Sequence, residues 1–192
     1  MIGLCLRGSP VLGVVHAPAD ETSKTYYAVA GQGAFVSRGD AGGEVLATSK
    51  RLSVRSFSAK KTGLVLAVST SRPPQKFIDA CDSPVTHSIG SAALKAIAVA
   101  AGAADIYPCF YSTSEWDTCA TDVIVAEAGG CVLRYEGSGE HGMADIALLL
   151  EGTAMDASGG GGGPGVDSSL RLSYNKPDLR SPRCIFLGRC ST

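Results

Sequence analysis

The spacing of apolar and polar positions divides this 192-residue chain into a strand-rich front and a back where strand and helix alternate. Up to residue 58 the apolar runs are short and separated by turns. Positions 11–15 form one aliphatic run and Tyr26-Tyr27-Ala28-Val29 another, and Gly31 and Gly33 punctuate a hairpin. From Leu64 the period changes. The spacing predicts strands over 64–68, 85–88, 104–107 and 131–135, with a polar turn over 69–72. It predicts helices over 74–81, 91–101 and 118–128, the first opened by Pro73-Pro74. Strands separated by single helices imply a layered α/β lobe. The expected organisation is therefore 1–58 as part of an N-terminal lobe and 59–192 as a C-terminal α/β lobe. Residues 137–169 break the pattern, with five consecutive glycines ahead of Pro164. Such a stretch loses too much backbone entropy to pack and reads as a linker or surface loop, with 144–150 as a short strand inside it.

Composition narrows the function. The chain is 45% apolar and 18% charged, with a net charge of −1, so no long-range field draws it to nucleic acid or an anionic membrane. An anionic ligand must be held by local dipoles, metal ions and a few cations. No apolar run reaches the roughly 18 residues of a membrane span, and the opening Met1-Ile2-Gly3-Leu4 lacks the basic start of a secretory leader. Seven cysteines, an odd number without a Cys-x-x-Cys pair, argue against a disulfide framework and a zinc site. A reducing, cytoplasmic setting is expected.

The most specific string is Trp116-Asp117-Thr118-Cys119-Ala120, followed at helical spacing by Glu127-Ala128-Gly129-Gly130. Asp117 stands where a cap or first-turn residue belongs, Val123 to Val125 supply the buried stripe, and the glycine pair ends the helix. An ordinary capped core helix would need no more than this. The string, however, resembles the second signature of the inositol-monophosphatase-like phosphatases, in which the Asp of the Trp-Asp pair is a magnesium ligand. Further stretches share the resemblance: Gly90-Ser91 opening a helix, Gly31-Gln32-Gly33-Ala34-Phe35, and Tyr174-Asn175-Lys176-Pro177-Asp178, which is similar to the 3'(2'),5'-bisphosphate nucleotidase branch. The family's Glu-Glu and Asp-Pro-(Ile/Leu)-Asp-Gly-Thr motifs do not occur here. Because those motifs supply most metal ligands and the catalytic groups, the resemblance implies that this chain is the C-terminal portion of a longer enzyme.

What the resemblance implies is a layered αβαβα sandwich and a lithium-sensitive phosphomonoesterase using two or three Mg2+ ions in its complete site. The substrate would be a small phosphate ester, adenosine 3',5'-bisphosphate first and an inositol phosphate second. Asp117 is the expected metal ligand. Gly90 and Ser91 are expected at the substrate, because free N–H groups at a helix start attract phosphate oxygens. Lys95, the single charge in an apolar helix, either snorkels to an edge or faces the site. Ser69 and Ser71 lie at the carboxyl end of a strand, where open α/β sheets place ligands, although an ordinary polar turn accounts for them equally. Arg72 replaces a family His, and Cys109 stands where relatives carry a charged residue. A reading from another class, a non-catalytic remnant or binding protein, is motivated by the two absent motifs.

Overall fold

Short apolar runs between turns fold into an antiparallel meander. Its strands are β1 (Ile2–Leu6), β2 (Ser9–Ala17), β3 (Lys24–Val29), β4 (Gly33–Arg38) and β5 (Lys50–Arg51), each hydrogen-bonded to the next. The computed structural model describes residues 1–19, 23–39, 49–58, 62–137 and 168–191. The strand predicted over 144–150 and the glycine run lie outside them. Side chains alternate across the meander. Val15, Ala28 and Ala34 are buried on its inner face, whereas Ile2, Leu4 and Leu6 of β1 are exposed on the outer one.

The remaining strands are β6 (Ser56–Ser58), β7 (Val65–Ser69), β8 (Val85–Ile89), β9 (Ile106–Cys109), β10 (Thr113–Ser114), β11 (Cys131–Arg134), β12 (Arg180–Ser181), β13 (Cys184–Leu187) and β14 (Arg189–Ser191). The helices are α1 (Gln75–Asp79), α2 (Ala92–Ala100) and α3 (Glu115–Glu127). A second sheet has the order β11-β13-β9-β7-β8. In it β7 runs parallel to both β8 and β9, and β13 is antiparallel to its neighbours. β6 and β14 pair in parallel, bringing residues 56–58 beside 189–191.

Alternation along the second sheet builds two apolar layers. Ala67, Tyr107 and Phe186 join the cluster that holds α2 and α3 against the meander. Leu66, Ile106, Leu133 and Ile185 face the other way and are closed by Phe77 of α1. The described residues thus stack as sheet, helix pair, sheet, helix, an α/β sandwich. Val15 and Ala28 share one cluster with Ala67 and Phe186, so the core crosses position 58 without a break. Each fully buried Leu or Ile contributes roughly 1.5–3 kcal/mol, which makes the two-sided β13 a central element. The apolar–polar spacing predicts no strand there. A run as short as Cys184-Ile185-Phe186-Leu187 carries no period that separates strand from helix.

Several boundaries differ from expectation by one to three residues. α3 begins at Glu115 rather than Thr118, because Ser114 caps it and Asp117 reaches back to the cap. Ser69 ends β7 rather than opening a turn, since its backbone stays in register with Ile89 of β8.

Candidate active site

The mouth of α3 is built first. Asp117 is the third residue of the helix, and its Oδ2 accepts the Ser114 N–H at 3.0 Å. That satisfies one orphan donor of the helix start and fixes the carboxylate's direction. Trp116 beside it is 63% exposed. Glu115 anchors the turn from the other side. Its carboxylate accepts the N–H groups of Asn175 at 2.7 Å and Lys176 at 3.3 Å and pairs with the Lys176 ammonium. Burial alone would raise Glu115, but those donors outweigh it and hold the group below the ordinary carboxylate value. At the far end of α3, Glu127 accepts from the Gly31 N–H at 2.8 Å and the Gly33 N–H at 2.7 Å. The hairpin glycines and the helix motif are therefore one structural unit, tied by the Glu127 carboxylate.

The mouth of α2 is different in kind. Ser91 caps it, its Oγ accepting the Leu94 N–H at 3.4 Å, and the first turn carries no acidic residue. Gly90 precedes the cap, and a Cβ built there would meet nothing within 4 Å. Packing does not demand glycine at this position.

The two mouths open onto one cleft of about 590 Å³. Asp117 lines it together with Ser91, Ala92, His16 and the apolar Val15 and Ala93. His16 is the penultimate residue of β2, and its Nδ1 lies 3.0 Å from Thr25 Oγ1. Its signal was positional: a histidine at a strand end, directly before Ala17-Pro18.

The other sequence-predicted residues sit elsewhere. Lys95 is 1% exposed, and its Nζ donates to the Ile89 carbonyl at 3.2 Å and lies 5.2 Å from the Tyr107 ring centroid. Burial lowers its pKa and the neighbouring Cys109 opposes that shift. Lys95 thus grips the end of β8 two residues before Ser91, beneath the cleft rather than in it. Ser69 lines a separate cavity of about 200 Å³ with Arg72, Phe110 and Tyr111. Its Oγ accepts the Arg72 N–H at 3.2 Å and lies 3.5 Å from Ser71 Oγ, the geometry of a self-satisfied polar turn. Cys109 is 1% exposed and faces Cys184 across β9 and β13, so it presents no group to either cavity.

A carboxylate oxygen suits Mg2+, a hard cation that takes oxygen ligands and keeps several waters. Asp117 fits one position of such a shell. Among the described residues no three His, Cys, Asp or Glu side chains gather as a metal cluster.

Comparison with known proteins then decides the lineage. Residues 1–159 match the model of the inositol monophosphatase family. The chain belongs to this family. Among curated relatives, it is 33% identical over 141 residues to the 3'(2'),5'-bisphosphate nucleotidase CysQ of Aggregatibacter actinomycetemcomitans, covering 71% of this chain and 49% of that protein. It is 32% identical over 152 residues to the fructose-1,6-bisphosphatase/inositol-1-monophosphatase of Thermotoga maritima, covering 78% and 54%. Among solved structures, CysQ from Bacteroides thetaiotaomicron superposes with a TM-score of 0.63 at 25% identity, covering 95% of this chain and 59% of that one. The chain spans about half the length of the curated relatives it matches. Membership in the inositol monophosphatase family accounts for the coincidence of the Trp-Asp string, the Gly-Ser helix start and the layered fold in one molecule.

Proposed function

We propose that these residues form the C-terminal half of a Mg2+-dependent phosphomonoesterase that removes a phosphate from adenosine 3',5'-bisphosphate, leaving AMP. The observation carrying this reading is that Asp117 and the Ser91 entrance to α2 line the same cleft. One mouth offers an anionic oxygen to a cation, and the other offers free N–H groups and a positive dipole end to an anion. Together they suit a metal-bound phosphate. Bound Mg2+ would neutralise phosphate oxygens and activate water. Asp117 would hold it through the carboxylate that Ser114 orients. The backbone at Gly90 and Ser91 would position the phosphoryl group, with Lys95 fixing that backbone from below. The bisphosphate is favoured over an inositol phosphate by the nucleotidase-like stretch from Tyr174 to Pro182 and by the CysQ relatives.

The test is phosphate release with Mg2+ by this chain and by a longer form carrying the portion its relatives possess. The longer form should turn over adenosine 3',5'-bisphosphate faster than inositol 1-phosphate, whereas the 192-residue chain should release little from either. Asp117→Asn in the longer form should cut turnover on the order of 10³-fold, matching several kcal/mol of lost charge stabilisation. A near-normal rate in that variant removes Asp117 from the metal site. Robust turnover by the short chain overturns the assignment of missing ligands.

A further inference from the structure

We propose that Cys5 and Cys119 form an oxidisable pair, which an oxidant of the low-molecular-weight disulfide class closes into an intramolecular bridge between β1 and α3. The two Sγ atoms lie 3.1 Å apart although 114 positions separate them in the chain. A disulfide needs about 2.05 Å, so closure asks for a displacement of roughly 1 Å.

The approach is built into the backbone. Gly3 and Cys5 share the inner face of β1, two residues apart, and Gly3 has no side chain to hold the helix off. A Cβ at Gly3 would stand 2.5 Å from Cys119 Sγ and 3.2 Å from Cys119 Cβ, so the strand lies directly on α3. The β1–β2 register shifts between Leu4 and Cys5, turning the strand where its thiol meets the helix. Access also singles out this pair. Cys109 and Cys184 face each other across β9 and β13, but at 1% and 0% exposure neither meets a dissolved oxidant. Cys5 is half-buried and reachable, while Cys119 lies behind it at 8% exposure.

The chemistry balances in two exchanges. The Cys5 thiolate attacks one sulfur of the oxidant, forming a mixed disulfide and releasing one thiolate. Cys119, after losing its proton, attacks Cys5 Sγ, closes the bridge and expels the second thiolate. The two cysteines give up two electrons and two protons, and the oxidant leaves as two thiols. The bridge would pin the first turns of α3, and with them Asp117, to the meander.

The experiment treats the 192-residue chain with oxidised glutathione, followed by alkylation, digestion and mass spectrometry. The expected product is monomeric, lighter by two hydrogen atoms, with the Met1–Arg7 peptide bridged to Cys119. Its melting temperature should rise by several degrees and return on reduction. Cys119→Ala should stop at the glutathione adduct on Cys5, whereas Cys109→Ala should still form the bridge. A stable adduct on Cys5 in the unaltered chain, a bridge from Cys5 to Cys109 or Cys131, or a disulfide-linked dimer as main product would each overturn the proposal.

Discussion

α2 and α3 enter the same cleft with opposite offers. α3 carries Glu115 and Asp117 in its first turn, and α2 carries no acid in its own. The positive end of α3 is therefore neutralised by its carboxylates, and the positive end of α2 is left to whatever anion enters. The contrast continues inside. α2 buries a base, Lys95, and α3 buries an acid, Asp122, at 8% exposure. Burial draws both toward their neutral forms, Lys95 downward and Asp122 upward to about 6. Two neighbouring helices with similar caps can thus divide cation and anion recognition between them, through first-turn composition alone.

The strongest way to break this arrangement is to move one mouth away from the other. A Cβ at Gly13 of β2 would stand 2.2 Å from the Ala120 carbonyl oxygen and 2.7 Å from Val123 Cγ1, so Gly13→Ala must push the meander off α3. We expect a loss of about 3 kcal/mol, measured by urea unfolding. Wild-type stability in this variant would mean that the contact does not set the position of α3.

A smaller effect tests the buried acid. The Asp122 carboxylate accepts the Tyr174 hydroxyl at 2.9 Å, and burial, opposed by that bond and by Arg171, raises it from 3.8 to about 6. Because the folded state binds the proton more tightly, this group's stabilisation is fully present below 3.8 and lost as pH rises through 6. Asp122→Asn keeps an acceptor for Tyr174 without the charge. The variant should gain on the order of 3 kcal/mol at most relative to wild type between pH 4 and pH 7.5. Glu115, whose depressed value matters only at lower pH, is common to both proteins and cancels in the difference. A difference that stays flat across this range would show that Asp122 does not titrate there.

The gentlest change sharpens the reading of α2. Gly90→Ala adds a methyl group to open space, so the melting temperature should stay within about a degree. If a phosphate ester approaches this backbone, KM in the longer form should rise about tenfold, equivalent to 1.4 kcal/mol. An unchanged KM would leave Gly90 as a simple connector.

Much of this was legible in the chain. Asp117, the Gly-Ser helix start and the alternating back half stand in local strings, and local strings carry caps, periods and turns. Ser91 and Asp117 were singled out separately because each opens a helix, a property of a few consecutive residues. Other features were not legible, for equally physical reasons. His16 reaches the cleft only because β2 ends beside α2, and its place near a strand end does not by itself say which helix that end meets. Lys95 left two outcomes open in sequence, edge or site, and the carbonyl of Ile89 selected a third, a buried brace under the cleft. Ser69, expected with Ser91, lines a different cavity with Arg72 and Tyr111, and Ser71 lies beside it in the same polar turn.

The sequence by itself determined which segments form strands and helices over most of the chain, where two helix mouths lie, and what charge each mouth carries. These follow from interactions within a turn or two, which neighbouring residues dictate. Only the tertiary structure decided that the two mouths share one cleft, that Glu127 binds the Gly31–Gly33 hairpin, and that Cys5 meets Cys119. Those pairings are set by how two sheets close over one helix layer, and that closure depends on contacts between residues about a hundred positions apart.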